Sequence, residues 1–412
     1  MTVWIFWSIA LVWLATLGYN LVCIKRAPWI PRNREIDFET TALRFTEDNA
    51  PSVSVLVPAR NEAGRVLSTS ISSMLGQDYP NYEVIAVDDR STDKTGEVLA
   101  GIAATSPRLK VIRGKEPPEG WHGKPWALYQ ARQAASGDWI LATDADVIFN
   151  RDAITQAVSV AVREAFDAVS IIPAISSKST WMNIVMPVAG WSIMALYPYW
   201  RVNNPKSPVA LGAGGFFLIK AIALGQAGGY SAIRGEIIDD LATARLLKGA
   251  GFRLNLSAGP TLLTTPMYSG LRELFHGFAK NAYAGSGGSP VKSVFFSLAN
   301  LSFTVAPILT VVVWLIAAIF GSTAPTSILW SALAAWLAMT FSFAPVYRQA
   351  RAPVYYALLA FAGHLVMISI LLSSTWRIIS GRGVTWKSRN LYAPAGEQAA
   401  PEANSAGGAG SE

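Results

Sequence analysis

The stretch Trp139-Ile-Leu-Ala-Thr-Asp-Ala-Asp146 sets an apolar segment directly against two carboxylates. WILAT (139–143) reads as a buried strand, and Asp152 to Glu164 carries a helical pattern. The same alternation runs upstream. SVSVLV (52–57) precedes a helical pattern from Glu62 to Leu75, EVIAV (83–87) one from Lys94 to Ala104, and LKVI (109–112) one from Pro125 to Ala135. Buried strands with short connections to amphipathic helices predict an α/β domain with a mostly parallel sheet, bounded at 52–290. Ligands of such sheets lie at the carboxyl ends of the strands. The acids fall there, Asp88 and Asp89 closing the second strand and Asp144 and Asp146 the fourth.

Both flanks of this domain are apolar. Residues 1–24 carry no charge and are followed by Lys25, Arg26, Arg32 and Arg34. About 20 apolar residues cross a bilayer, so 1–24 is predicted to be a transmembrane anchor. The basic residues after it place the α/β domain in the cytoplasm. A cleaved signal peptide fits less well, because no basic residue precedes the apolar run. Beyond the domain, charge is absent from Ser293 to Tyr347 and again from Ala352 to Trp376. GSTAPT (321–326) supplies a turn, so 293–376 is predicted to hold two to three further spans. Three spans would leave the tail outside, whereas Arg377, Arg382, Lys387 and Arg389 argue for inside. Either all three cross, or one is re-entrant or interfacial. Residues 393–412, rich in Ala, Gly, Pro, Ser and Glu, are predicted to be disordered.

Composition agrees with a membrane protein. Of 412 residues, 51% are hydrophobic and 15% charged, against about 25% charged in a soluble domain. The 34 Lys and Arg exceed the 27 Asp and Glu by 7, but no basic run interleaved with aromatics points to nucleic acid. Cys23 is the single cysteine, which excludes an internal disulfide and a cysteine zinc site. No Walker or GxGxxG pattern occurs, which argues against ATPases and dinucleotide enzymes. His122, His276 and His364 stand at no metal-ligand spacing and read as structural.

Asp144 and Asp146, two apart on an extended backbone, face one way and repel unless a cation sits beside them. Mg²⁺ or Mn²⁺, completed by a substrate diphosphate, would relieve that repulsion; a chance surface turn is the plain alternative. Asp88 and Asp89 suit a nucleobase N–H or ribose hydroxyls, although Ser91 or Thr92 can equally cap a helix here. Glu62 favours a helix start or reaches a nucleoside, with Arg60 beside it to balance phosphate charge. Lys124, in the WHGKP loop (121–125), is either a diphosphate contact at a helix amino terminus or an exposed charge. Asp239 can be a helix cap, and Asp240 a general base that burial makes basic enough to deprotonate a hydroxyl. Ser179 to Trp200 is uncharged but interrupted by Pro187 and Pro198, and its aromatics suit an interfacial helix rather than a span. Leu271 to Tyr283 reads the same way; both can also be ordinary buried helices.

VPARNE (57–62), VDDRSTD (87–93), TDAD (143–146) and IIDD (237–240), in this order after one amino-terminal span, resemble the family 2 inverting glycosyltransferases of GT-A fold. The resemblance covers Val53 to Pro290. It implies a Rossmann-like cytoplasmic domain with transmembrane helices at both ends, a nucleotide-sugar donor (UDP-sugar above others) and a divalent metal, Mg²⁺ or Mn²⁺. It further implies donor contacts from Pro58, Arg60, Glu62, Asp88, Asp89, Lys124 and Asp144, metal on Asp146 with Asp144, and Asp240 as catalytic base. GWHGKPWAL (120–128), RVNNPKSPVALGAGG (201–215), IRGEIIDD (233–240), GFAKNAYAGSGG (277–288) and VTWKSR (384–389) are similar to membrane hopene-associated glycosyltransferases and related carotenoid-acid glycosyltransferases. That group implies a lipid acceptor, hopanoid among the candidates, in a bacterial cytoplasmic (inner) membrane. The QxxRW signature of processive synthases is replaced by HGFAKN (276–281), where Lys280 stands near the diphosphate or near lipid headgroups. A processive polysaccharide synthase, and a non-catalytic membrane scaffold with a degenerate sugar-nucleotide domain, are the rival readings.

Overall fold

A computed structural model describes residues 2–26, 45–64, 66–176, 179–321, 324–386 and 389–390. The predicted disordered tail, 393–412, lies outside the described residues, as do Arg32 and Arg34. The chain opens with α1 (Thr2–Arg26) and enters the α/β domain at β1 (Val53–Ala59). There follow α2 (Leu67–Leu75), β2 (Tyr82–Asp88), α3 (Thr95–Ala103), β3 (Leu109–Arg113), α4 (Gly123–Ala134), β4 (Trp139–Ala142), β5 (Ile148–Phe149) and α5 (Ala153–Arg163). The second half contributes β6 (Ala168–Ile172), β7 (Ala174–Ile175), α6 (Thr180–Leu196), α7 (Tyr199–Val202), β8 (Phe217–Lys220) and α8 (Ala221–Gln226). It closes with α9 (Asp239–Gly249), β9 (Leu254–Ala258), β10 (Leu263–Thr265) and α10 (Leu271–Gly285).

Seven strands form one sheet in the order β3-β2-β1-β4-β8-β6-β9. All neighbours are parallel except β8, which runs antiparallel to both β4 and β6. A small second sheet, β5-β10-β7, lies beside it. Successive β1 side chains face opposite ways, as period two requires. Val53, Val55 and Val57 pack with Leu67, Ile71 and Met74, while Leu56 joins Leu128, Ala131 and Ile140 on the other face. Two apolar layers thus sandwich the sheet and fix the level at which its carboxyl edge opens.

One helix starts later than its pattern predicts. Asn61 adopts φ 50°, and the amides of Glu62 and Ala63 donate to Thr95 Oγ1 at 2.8 and 3.1 Å. Those tethers hold 60–64 as a turn over α3, so α2 begins only at Leu67.

Among the described residues, four helices are long and apolar enough to cross a membrane: Thr2–Arg26, Pro290–Ile319, Thr326–Gln349 and Val354–Ile379. The second consists of α11 (Pro290–Asn300), a π turn (Leu301–Val305) and α12 (Ala306–Ile319). Pro307 lacks the amide that would bond Phe303 carbonyl in a regular helix. Trp13 Nε1 of α1 donates to that carbonyl instead, at 3.0 Å. The third is α13 (Thr326–Gln349); the fourth is a 3₁₀ segment (Val354–Leu359) continued by α14 (Ala360–Ile379). A short hairpin, β11 (Thr385–Trp386) and β12 (Arg389–Asn390), follows.

The interrupted aromatic stretch runs more continuously than its prolines suggest. Pro187 is accommodated inside α6, and the helix breaks only before Pro198, which caps α7. α6 buries Met182, Val185 and Val188, and packs on α14. Gly363 permits that approach, because a Cβ there would stand 2.9 Å from Ile184 O and from Val188 Cγ2. α10 also packs on α14, through Leu274 and Ala279.

Candidate active site

The strand ends bring the acids of two loops to one edge. β2 terminates in Asp88, whose Oδ1 accepts from Ser91 N at 3.1 Å and closes the turn. Neither Ser91 nor Thr92 caps α3, whose N-cap position is Lys94; just before it the Asp93 carboxylate accepts from Thr95 N at 2.9 Å and from Ala63 N at 3.1 Å. Burial by itself would raise this carboxyl, but four hydrogen bonds, from the Thr95 hydroxyl and from the Thr95, Ala63 and Asp93 amides, hold its pKa below the ordinary range. Asp89 is buried at the mouth, and Arg60 Nη1 donates to the carbonyls of Asp89 and Arg90 at 2.8 and 2.9 Å. Arg60 therefore fixes the turn that presents Asp89. Pro58 pairs with Val87 in register, and Glu62 is buried beside the same turn.

Across the edge, Asp144 and Asp146 do not sit on an extended strand. β4 ends at Ala142, and residues 145 and 146 form a turn. The simple two-apart argument fails locally because Val147 N turns back to Asp144 O, at 3.4 Å. Asp144 meets a cation all the same. Lys124 Nζ, at the start of α4, stands 2.8 Å from Asp144 Oδ1 and 3.1 Å from Asp239 Oδ1. Burial by itself would lower the Lys124 ammonium, but Asp144, Asp239 and Asp240 together push it well above its usual range.

Asp239 is thus no helix cap. It makes no capping bond at the start of α9 and serves as the second carboxylate on Lys124. Asp240 beside it is held from two directions. Gly214 N donates to Oδ2 at 2.7 Å, and Leu241 N to Oδ1 at 2.7 Å. Its pKa is raised to about 6, first by burial and then by the charge of Asp239, with Lys124 pulling the other way. A carboxyl poised there is half or more ionised near neutrality and accepts a proton readily.

Gly214 was not marked by the sequence as a site residue, yet it stands at the centre. A Cβ on it would lie 3.1 Å from Asp144 Oδ2, 3.2 Å from Lys124 Nζ and 3.3 Å from Asp240 Oδ2. Gly212 lies as close to the peptide of Asp240, with a built Cβ 2.8 Å from its carbonyl oxygen. The run of small residues ALGAGG (210–215) was the available signal, since glycines outside helices often mark close backbone approach. Below the cluster a small cavity is lined by Lys124, Leu128, Phe217, Tyr230, Asp239 and Thr243.

Lys280 and His364 lie on α10 and α14. Lys280 is half-buried on α10, the helix that packs against α14 and α6. His364 is buried on α14, with Nδ1 3.0 Å from Asn300 Oδ1 and the rings of Trp13, Trp191 and Phe343 around it. Among the described residues no three His, Cys, Asp or Glu side chains gather as a complete metal site. A cation here would need ligands from a bound substrate. Asp144 and Asp146 are carboxylates, hard oxygen donors of the kind that suits Mg²⁺ or Mn²⁺ rather than a softer metal.

Comparison with known proteins extends these observations. A sequence model described as Glycosyl transferase family 2 matches residues 54–225. The chain is 36% identical over 133 residues to a beta-monoglucosyldiacylglycerol synthase of Nostoc sp., covering 32% of this chain and 28% of that one. It therefore spans little more than a quarter of that relative. An N-acetylglucosaminyltransferase of Bradyrhizobium elkanii is 33% identical over 149 residues, covering 35% of this chain and 76% of the relative. The 4,4'-diaponeurosporenoate glycosyltransferase of Staphylococcus aureus is 26% identical over 270 residues, 63% of this chain and 68% of that one. Among solved structures, a mannosyltransferase from Pyrobaculum calidifontis, in complex with GDP-Man and Mn²⁺, superimposes with a TM-score of 0.51 at 21% identity. The superposition covers 92% of this chain and 99% of that one, and the likeness extends to the GT-A fold as a whole.

Proposed function

This chain belongs to glycosyltransferase family 2, the inverting nucleotide-sugar transferases, and from that premise we propose that it glycosylates a lipid held in the membrane. One observation carries the reading: the raised carboxyl of Asp240, fixed by the Gly214 amide, shares a cluster with Lys124, Asp144 and Asp239. The donor is a UDP-sugar in this reading, with its nucleoside over Asp89 and the Arg60-braced turn and its diphosphate toward Lys124. The acceptor hydroxyl attacks the anomeric carbon from the face opposite the diphosphate. As the new C–O bond forms, its proton passes to Asp240 and the bond to the diphosphate oxygen breaks, so configuration inverts. Negative charge grows on the departing group, where the Lys124 ammonium offers a charge-assisted bond. Asp146 and Asp144 would hold Mg²⁺ or Mn²⁺, whose contribution when bound is to neutralise that same charge. An aprotic carboxylate acceptor would need positioning but no base.

Support for a lipid acceptor comes from the packing of α6 and α10 against α14, part of an apolar segment of membrane-helix length. The names of the Nostoc and Staphylococcus relatives, a glucosyldiacylglycerol synthase and a carotenoid-acid transferase, agree with it. A hopanoid is the finer proposal. In this reading the domain faces the cytoplasm of a bacterial inner membrane.

The test is sugar transfer by purified protein reconstituted in total bacterial lipid, with a panel of labelled UDP- and GDP-sugars and Mn²⁺ or Mg²⁺. Label is expected in the organic phase, absent after chelation, and reduced about 10²- to 10⁴-fold in Asp240→Asn, the usual worth of a positioned base. Label in an insoluble polymer would replace lipid glycosylation by polymer synthesis. No turnover and no donor binding across the panel would sink the catalytic reading.

A further inference from the structure

The direction of α13 can be read from two hydrogen bonds. In a helix carbonyls point toward the carboxyl end and side chains lean toward the amino end. Ser342 meets α1 with both groups: its hydroxyl donates to Trp13 O, and its carbonyl accepts from Asn20 Nδ2 at 2.8 Å. Moving toward the carboxyl end of α13 therefore leads from Trp13 to Asn20, and α13 runs parallel to α1. The carboxyl end of α1 lies against the α/β domain, where Tyr19 meets Trp200 of α7 at 5.9 Å. The carboxyl end of α13 reaches the same level, with Tyr347 Oη donating to Ile184 O of α6 at 2.7 Å. α11 and α12 lead away from the domain, and α13 leads back.

The fourth apolar segment starts and finishes on that same face. It leaves at Ala350–Arg351, beside Tyr347. Leu358 O, near the end of its 3₁₀ turn, accepts from Trp336 Nε1 at 3.3 Å. Between Trp336 and Gln349 a helix rises about 20 Å, so the 3₁₀ turn has descended roughly to mid-bilayer. α14 then climbs back: Ser374 Oγ donates to Ala279 O of α10 at 2.6 Å, and Val384 packs with Leu274. Arg351 at φ 57° and Pro353 make the sharp entry.

We infer that Ala350–Gly381 is a re-entrant hairpin buried in the leaflet next to the catalytic domain, leaving three true crossings, α1, α11–α12 and α13. The charges agree independently. Lys25, Arg26, Lys292, Arg348, Arg351, Arg377 and Arg382 all fall on the catalytic face, whereas Gly321–Thr326, between α12 and α13, carries none. Tyr355, Leu365, Leu372 and Trp376 of the hairpin are exposed, and the hydroxyl of exposed Ser369 is satisfied by Leu365 O at 2.8 Å. Non-helical backbone at this depth is tolerated because it is covered by α13 and α6.

The inference concerns the path of the chain and does not depend on catalysis. Single-cysteine variants on a Cys23→Ser background, Lys94→Cys, Ala324→Cys and Ser380→Cys, would be reconstituted in sealed liposomes and treated with a membrane-impermeant maleimide. In every orientation of insertion, Ser380→Cys is expected to label from the same side as Lys94→Cys, with Ala324→Cys on the opposite side. Ser380→Cys labelling together with Ala324→Cys would make the segment a full crossing and overturn the inference. An alkaline phosphatase fusion after Gly381 in intact cells, read against one after Gly321, gives the same decision without cysteine chemistry: equal activity at both points refutes the hairpin.

Discussion

Adding one methyl group at Gly214 tests the geometry of the centre most directly. Gly214 is not among the glycines with positive φ, so alanine imposes no backbone strain there. The methyl would instead stand 3.1 Å from Asp144 Oδ2, 3.2 Å from Lys124 Nζ and 3.3 Å from Asp240 Oδ2. Each distance is a few tenths of an ångström below ordinary contact, so three charged groups must each give way slightly. Displacement of about 1 Å in a catalytic group costs on the order of 10²-fold in rate, so a shift of a few tenths should cost about tenfold, or about 1.4 kcal/mol of barrier. The assay is the initial rate of sugar transfer at saturating donor and acceptor, alongside nucleotide binding and thermal unfolding. Gly214→Ala is expected to lower kcat about tenfold with an unchanged Tm. Gly101→Ala, in α3 with nothing near its Cβ position, is the control and should leave the rate unchanged. A wild-type kcat in Gly214→Ala would refute the claim that reacting groups converge on this glycine.

In the proposed mechanism Asp240 accepts a proton only when ionised, and with its carboxyl raised to about 6 the acid limb of the transfer rate should fall near pH 6. Asp239→Asn removes a negative neighbour that helps raise it, so the limb should move to lower pH in a profile of kcat/KM; an unmoved or higher limb would contradict the assignment. In the membrane, Asn20 is 2% exposed, donates to Ser342 O and accepts from Trp191 Nε1 at 2.8 Å. Asn20→Ala strands the Trp191 N–H and should destabilise the protein by about 1–3 kcal/mol in detergent unfolding. An unchanged Tm would mean that lipid or detergent satisfies these groups instead.

The α/β order, the acids at the strand ends and the apolar flanks were legible because each is a local pattern of period or composition. Lys124, Asp144 and Asp240 were legible because motif order put them at the same sheet edge. Asp239 was not: a carboxylate at a helix start satisfies capping statistics whether or not it caps, and only the approach of α4 gives it Lys124. Asp88 and Arg60 look like ligand groups in sequence, but each has a backbone partner that a one-dimensional pattern does not reveal. Gly214 was hidden for a related reason, since a glycine announces close approach without saying to what. The basic residues after the last apolar run left one re-entrant or interfacial segment open, but the hairpin inferred for Ala350–Gly381 was not singled out, because hydropathy measures length in an apolar phase and carries no direction.

The polar contacts of α1 have a bearing on how the protein is made. Trp13 and Asn20 find their partners at Phe303 and Ser342, sequence separations of 290 and 322 residues. At translation rates of roughly 5–20 residues per second, α1 waits on the order of tens of seconds before those partners leave the ribosome. During that interval an asparagine and an indole N–H sit in lipid or in the insertion machinery without their final acceptors. Helix α1 is thus made well before its partners and is among the last elements to be completed. Biogenesis should accordingly be most sensitive to the residence of α1 at the insertase, and least to the folding speed of the catalytic sheet.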